Sequence, residues 1–234
     1  MIEYKLKINL KEMNNFEFST RDRVNKIKEA LCYAYDLHKD QVRKTNNIPY
    51  FSHLLIVAGY VMENGGDEET VIAALLHDAV EDRGGMKTAG EIEEKFGKRV
   101  KDLVLECSDS FTGDSRRKMP WEERKELYLS KMKNKSSEAL LITLADKVHN
   151  LQSLVDAYII YGEEIFKEFK GGKEGVLWYY SELSKFFETT KIGFPHSSLC
   201  NRYLGLYHRY MCPECEYMFD HIWDGREDYE FKSR

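Results

Sequence analysis

The run Val71-Ile72-Ala73-Ala74-Leu75-Leu76 is apolar on nearly every side of a helix. A helix without a polar face must be buried by other elements. The run ends abruptly in His77-Asp78, with Glu81-Asp82 four residues on. A buried helix whose end carries four ionisable groups constrains both the fold and the chemistry of this chain.

The surrounding sequence is helical in period. Val24, Ile27, Leu31, Ala34 and Leu37 form a stripe after a Ser19-Thr20 start signal. After the polar loop Lys44–Asn47 a helix is expected over about Tyr50–Asn64, stopped by Gly65-Gly66. Asp67 is placed to cap the buried run, and a turn is expected at Gly84-Gly85. Thr88 with Glu91 fits a capping box for a short helix ending near Gly97. A helix over about Lys98–Phe111 and a polar loop over Thr112–Lys118 follow. Pro120 suits the first turn of a helix reaching Lys133, and Ser136 or Ser137 can start a long one through Tyr161. Gly171-Gly172 breaks the pattern before an aromatic-rich helix over Val176–Phe187.

These signals predict an all-α fold, a helical bundle over residues 20–190. Residues 1–19 form an N-terminal extension. Ile2, Tyr4, Leu6, Ile8 and Leu10 alternate with polar residues there and read as one strand. A lone strand needs a partner, either later in the chain or in a second copy, which leaves a homo-oligomer open. Residues 191–234 are expected to be an irregular C-terminal extension whose aromatics, among them Tyr203, Tyr207 and Tyr210, pack on the core or on a partner. Its Cys212-Pro213-Glu214-Cys215, near His208 and His221, is a single Cys-x-x-Cys and reads as an unmetalled turn.

Composition excludes several classes. The net charge is −5, whereas a duplex-DNA binder is more often basic, so no nucleic-acid partner is expected. The longest apolar stretch, Leu54–Met62, is too short to span a bilayer, and the N-terminus has no apolar signal region. Five cysteines without repeating spacing fit a reducing cytoplasm.

On a continuous helix His77 would lie over Glu81, and Asp78 over Asp82. Bare burial of such groups costs several kcal/mol each. Clustered carboxylates also repel unless a cation is present. Either the helix end emerges into solvent, or a metal sits there. Two further residues favour the metal. His53 lies near the start of the preceding helix, and Asp146 interrupts the apolar run Leu140–Ala145. Asn150 and Ser153 continue the Asp146 face. The alternative is a hydrogen-bond network inside a helical bundle. His53, His77, Asp78 and Asp146 make a mixed nitrogen and oxygen set, which suits Mn, Fe or Zn better than Ca. His149 reads as structural.

His53, His77-Asp78 and Asp146 resemble the signature of the HD-domain phosphohydrolases. The stretch His38–Lys44, then Pro49-Tyr50 and His53, resembles the opening motif of the RelA/SpoT-type alarmone hydrolases. So do Ala73–Asp78 with Glu81-Asp82, Phe96-Gly97, and Leu144–Leu151. With no room for a synthetase domain, the chain is similar to the stand-alone branch that includes the metazoan SpoT homologue. Glu123-Arg124-Lys125 resembles that branch too. Asp40, Leu54, Arg83 and Ser153 stand where relatives often have Gly, Pro, Thr and Thr.

The resemblance implies a cytoplasmic, Mn²⁺-dependent hydrolase of a small phosphorylated nucleotide, with Fe²⁺ or Zn²⁺ as other candidate ions. The expected reaction converts (p)ppGpp to GDP or GTP plus pyrophosphate by a metal-bound water. By position, His53, His77, Asp78 and Asp146 would hold the ion, and Glu81 and Asp82 would orient or deprotonate the water. Arg43, Lys44, Asn150 and Ser153 would contact the nucleotide. The rival expectations are an HD-type nucleotide phosphomonoesterase, including one acting on NADPH, and a non-catalytic nucleotide-binding protein. Arg116-Arg117-Lys118 with Arg124-Lys125 could draw in a polyanion, but a charge run of this kind is usually a solvated face.

Overall fold

The computed structural model describes residues 22–45, 47–111, 119–190 and 197–212. The N-terminal strand over 2–10 and the Ser19-Thr20 signal lie outside them. So do the Thr112–Lys118 loop and Cys215. The described residues are helical, with only an isolated antiparallel bridge between Val42 and Pro49. The helices are α1 (Asp22–His38), α2 (Phe51–Glu63), α3 (Glu68–Leu75), α4 (Ala79–Asp82) and α5 (Met86–Phe96). There follow α6 (Lys98–Cys107), α7 (Trp121–Met132), α8 (Ser137–Tyr161), a 3₁₀ segment over Gly162–Glu168, α9 (Gly172–Thr189) and α10 (Ser197–Tyr210).

α3 sits at the centre, against α1, α2, α6 and α8. Its Val71, Ile72, Ala73, Ala74 and Leu75 are all buried. Each large side chain in this run stabilises the fold by about 1.5–3 kcal/mol through burial. Asp67 caps it as expected, accepting from the Thr70 N–H at 2.9 Å. α8 is the long spine, about 37 Å at 1.5 Å per residue. Ser136 opens it, its hydroxyl accepting from the Ala139 N–H. One face of α8, including Leu144, Ala145, Val148 and Leu151, is wholly buried.

Several local expectations are corrected. Thr88 does not cap α5: that helix starts at Met86 after Gly85, and the Thr88 hydroxyl, inside the helix, donates to the Arg83 carbonyl. The capping-box pattern was there, but Gly84 and Gly85 (φ 96° and 61°) turn the chain first, and the helix is capped three residues earlier. α6 stops at Cys107, short of Phe111. The 3₁₀ segment after Gly162 was not expected. The described part of the C-terminal extension is not irregular. α10 is a regular helix packed on α8 and α9, with Tyr203 fully buried and Tyr207 nearly so. Tyr203, Tyr207 and Tyr210 pack on the core as expected, whereas Tyr217, Phe219 and Trp223 lie outside the described residues.

Candidate metal and nucleotide site

The helix carrying the apolar run breaks just before the ionisable groups. α3 ends at Leu75, and Leu76, His77 and Asp78 form a turn before α4. The continuous helix expected through Asp82 is therefore corrected. The break has a local cause and a local benefit. A helix C-terminus leaves carbonyls without backbone partners. The His77 ring answers one of them: its Nδ1 lies 2.8 Å from the Ala74 carbonyl. A carbonyl only accepts, so Nδ1 carries the hydrogen and Nε2 faces inward.

Four acceptor atoms converge at that point. Ligand atoms of His53, His77 and Asp146 lie within 4.8 Å of one another. His53 Nε2 is 3.2 Å and His77 Nε2 3.8 Å from Asp146 Oδ1. Asp78 Oδ2 is 2.9 Å from His77 Nε2 and 3.7 Å from His53 Nε2. Both Nε2 atoms are buried without a hydrogen-bond partner among the described residues. Lone pairs facing carboxylate oxygens at such distances require positive charge between them. The imbalance shows in His77: burial disfavours its charged form, yet Asp78 and Asp146 outweigh burial and hold it well above the usual histidine range. A divalent cation fits this donor set of imidazole nitrogens and carboxylate oxygens.

The first ring of supports fixes these groups. Lys147 Nζ donates to Asp146 Oδ2 at 2.6 Å, and Asn150 donates to Asp146 Oδ1. Burial raises the Asp146 carboxyl, but Lys147 and the two histidines outweigh it and hold it well below the carboxylate range. The Tyr50 hydroxyl donates to Asp78 Oδ2 at 2.5 Å. His149 was expected to be structural only and to point away from this face. Instead its Nδ1 lies 2.7 Å from His53 Nδ1, and the two rings stack at 4.9 Å. Burial, together with nearby His53 and Arg43, pushes His149 down to about 3, so it is neutral and can accept. An acceptor behind His53 keeps the hydrogen on Nδ1 and leaves Nε2 free for an ion. Removing such a support lowers metal affinity by about 10–100-fold. His149→Ala is expected to show that loss in a titration against a chromogenic chelator. Unchanged affinity would mean that the His53 tautomer is set elsewhere.

The remaining expected residues spread around one cavity of about 600 Å³. Glu81 and Asp82 line it on one side of Asp78. Glu81 lies 3.4 Å from the Asp109 N–H and 3.5 Å from Arg124, and Asp82 accepts from Gln41 Nε2 at 2.9 Å. Arg43 and Lys44 line it from the α1–α2 connection, and Asn150 from α8. Arg43 is nearly buried. It donates to Asn150 at 3.1 Å and lies 5.9 Å above the Tyr50 ring. Ser153, one turn beyond Asn150, is half-buried and is not among the lining residues.

The far wall was missed. Arg124 and Lys125 are not on a solvated face: their side chains are 11% and 17% exposed, both paired with the buried Asp109. With Lys147 and Lys170 they give the cavity a cationic side. A signal was available. Trp121, Arg124, Lys125 and Tyr128 fall at i, i+3, i+4 and i+7, one helix face, and the aromatics at its ends mark it as inward-facing.

Comparison with known proteins agrees with this geometry. A family model described as HD domain matches residues 30–171. The guanosine-3′,5′-bis(diphosphate) 3′-pyrophosphohydrolase MESH1 of Xenopus tropicalis is 36% identical over 160 residues, 62% of this chain and 85% of that protein. The bifunctional (p)ppGpp synthase/hydrolase SpoT of Escherichia coli (strain K12) is 32% identical over 135 residues, 57% of this chain but only 18% of SpoT. The solved structure of a metazoan SpoT orthologue, described as hydrolysing ppGpp and acting in starvation responses, superposes with a TM-score of 0.61. It is 28% identical and covers 79% of this chain and 94% of that one. Among the described residues no helix is long and apolar enough to cross a membrane. With its His-His-Asp cluster in place and most of its helical core inside the matched span, the chain belongs to the HD-domain family of metal-dependent hydrolases.

Proposed function

We propose that this protein is a (p)ppGpp 3′-pyrophosphohydrolase, which adds water to guanosine 3′,5′-bis(diphosphate) and releases GDP and pyrophosphate. The observation that carries the reading is the juxtaposition, in one cavity, of four converging acceptor atoms with a wall of four cationic side chains. A cavity of about 600 Å³ lies in the range of small-molecule sites. The names of the relatives supply the substrate.

His53, His77, Asp78 and Asp146 would hold the ion, with Mn²⁺ the first candidate and Fe²⁺ or Zn²⁺ the others. Bound there, a divalent cation supplies Lewis acidity and makes a neutral-pH nucleophile from water. Glu81 and Asp82, which line the same cavity, would be the candidate bases for that water. Arg124, Lys125 and Lys147 offset phosphate charge, which phosphoryl transfer needs more than covalent help. Arg43 is held at the cavity wall by Asn150 and the Tyr50 ring, and its planar guanidinium is the group suited to stack on a purine there. Asn150 and Lys44 complete the nucleoside side, and Ser153, expected there, stays outside the cavity lining.

The test is product analysis with Mn²⁺ and a panel of nucleotides. Pyrophosphate and GDP from ppGpp are expected in equal amounts. Orthophosphate alone, released from NADPH while ppGpp persists, would instead make the protein a phosphomonoesterase. Tight nucleotide binding with no turnover in any metal would leave a binding protein.

A further inference from the structure

Trp121 opens α7, and its ring is seated on Gly171, the N-cap of α9, and on Gly175 within that helix. Gly171 is in an ordinary helical conformation (φ −81°), so no backbone demand explains it. Closeness does. A Cβ at Gly171 would fall 2.7, 2.8 and 2.9 Å from three atoms of the Trp121 six-membered ring, and one at Gly175 would fall 3.0 Å from the same edge. Trp178 and Tyr179 close the seat from the side, both edge-on at just over 6 Å.

This seat matters because α7 has few other anchors. Its buried residues, Tyr128 and Met132, lie in its second half, and α9 is the helix it chiefly packs on. Arg124 and Lys125 lie between Trp121 and Tyr128 on the cavity face. Arg124 also reaches Glu81 at 3.5 Å. From Tyr128, beside Thr143 on α8, to Trp121 the helix rises about 10 Å. Trp121 thus anchors the end of α7 away from the Tyr128–Thr143 contact, and Arg124 and Lys125 hang on the stretch between the two anchors.

We infer that Trp121 is a positioning residue. Docked in the Gly171/Gly175 notch, it holds α7 so that Arg124 and Lys125 receive phosphates of the substrate. This rests on the (p)ppGpp reading only for the identity of the phosphorylated substrate.

The experiment is a size-complementation set: Gly171→Ala, Trp121→Ala, Trp121→Phe and the double variant Gly171→Ala/Trp121→Phe. Displacing a binding group by an ångström can weaken its action by up to about 100-fold. Gly171→Ala is expected to raise KM for the tetraphosphate by about 10- to 100-fold with kcat nearly unchanged. Phenylalanine lacks the ring atoms that the new methyl meets, so the double variant should recover most of the loss. Trp121→Ala adds no atoms and should raise KM likewise, which covers a Gly171→Ala chain that fails to fold.

A second readout is the Kd of inorganic pyrophosphate in excess chelator, where the cations bind without an ion. It should rise in parallel with KM, and it still reads the inference if ppGpp proves not to be the substrate. A lower Tm with KM and pyrophosphate Kd unchanged would overturn the inference, because the notch would then be packing alone. So would a double variant no better than Gly171→Ala.

Discussion

Asp146→Ala is expected to lose the metal and to reduce turnover by about a thousandfold or more, the scale of removing one group that stabilises charge at a reacting centre. Asp146 faces both inward nitrogens, 3.2 Å from His53 and 3.8 Å from His77. It also neutralises Lys147, whose side chain is 11% exposed. Alanine would leave that ammonium buried among the Tyr128 and Tyr179 rings without its counter-charge. The variant should therefore be destabilised as well as inactive, by about 3–5 kcal/mol. Asp146→Asn separates the two effects. It keeps the volume and a carbonyl for Asn150, but brings no charge. Metal analysis after Mn²⁺ loading, with thermal melts, is the measurement. An Asp146→Asn protein that retains stoichiometric metal and turns over within tenfold of the parent would remove Asp146 from the ligand set.

The second large effect is expected at Asp109, outside the ligand set. Its side chain is 3% exposed and is paired with Lys125 at 2.7 Å and with Arg124. Burial pushes the carboxyl up, but Lys125 and Arg124 outweigh it and hold it well below the usual carboxylate range. Asp109→Ala would strand two half-enclosed cations and is expected to destabilise the fold by about 3–5 kcal/mol. For a chain of this size that is a Tm fall of roughly 10 °C. The pH dependence follows from the depressed carboxyl. Its contribution is fully present above the unfolded value of about 4 and is lost as pH falls toward the folded value. The parent should therefore lose stability below about pH 4 more steeply than the variant. Inorganic pyrophosphate offers the stranded cations a replacement anion, so it should raise the Tm of the variant more than that of the parent. A melt of Asp109→Ala indistinguishable from the parent at neutral pH would mean that the pair is solvated.

The two predictions differ in where their evidence lies. Asp146 was legible in the chain because an acid inside Leu140–Ala145 violates the apolar pattern of a buried helix. His77-Asp78 stood out against Val71–Leu76 for the same reason. Asp109 had no such mark. It follows a helix end in a polar stretch, and its partners are more than a dozen residues away. Arg124 and Lys125 resembled any surface charge pair, and only their spacing from Trp121 and Tyr128 hinted otherwise.

The sequence by itself determined most of the helices between residues 22 and 190, their order, the buried centre and the residues that could ligate an ion. Hydrophobic period, caps and glycines act over a few residues, and a run such as Val71–Leu76 has one physical solution. Tertiary structure alone decided the break at Leu76–Asp78 that turns His77 Nε2 inward, the His149 support behind His53, and the helical docking of residues 197–210. It also decided the seating of Trp121 on Gly171 and Gly175. Each of these is set by a carbonyl, a ring or an absent methyl meeting a group from elsewhere in the fold. Such encounters depend on how helices pack, which no local pattern in the chain encodes.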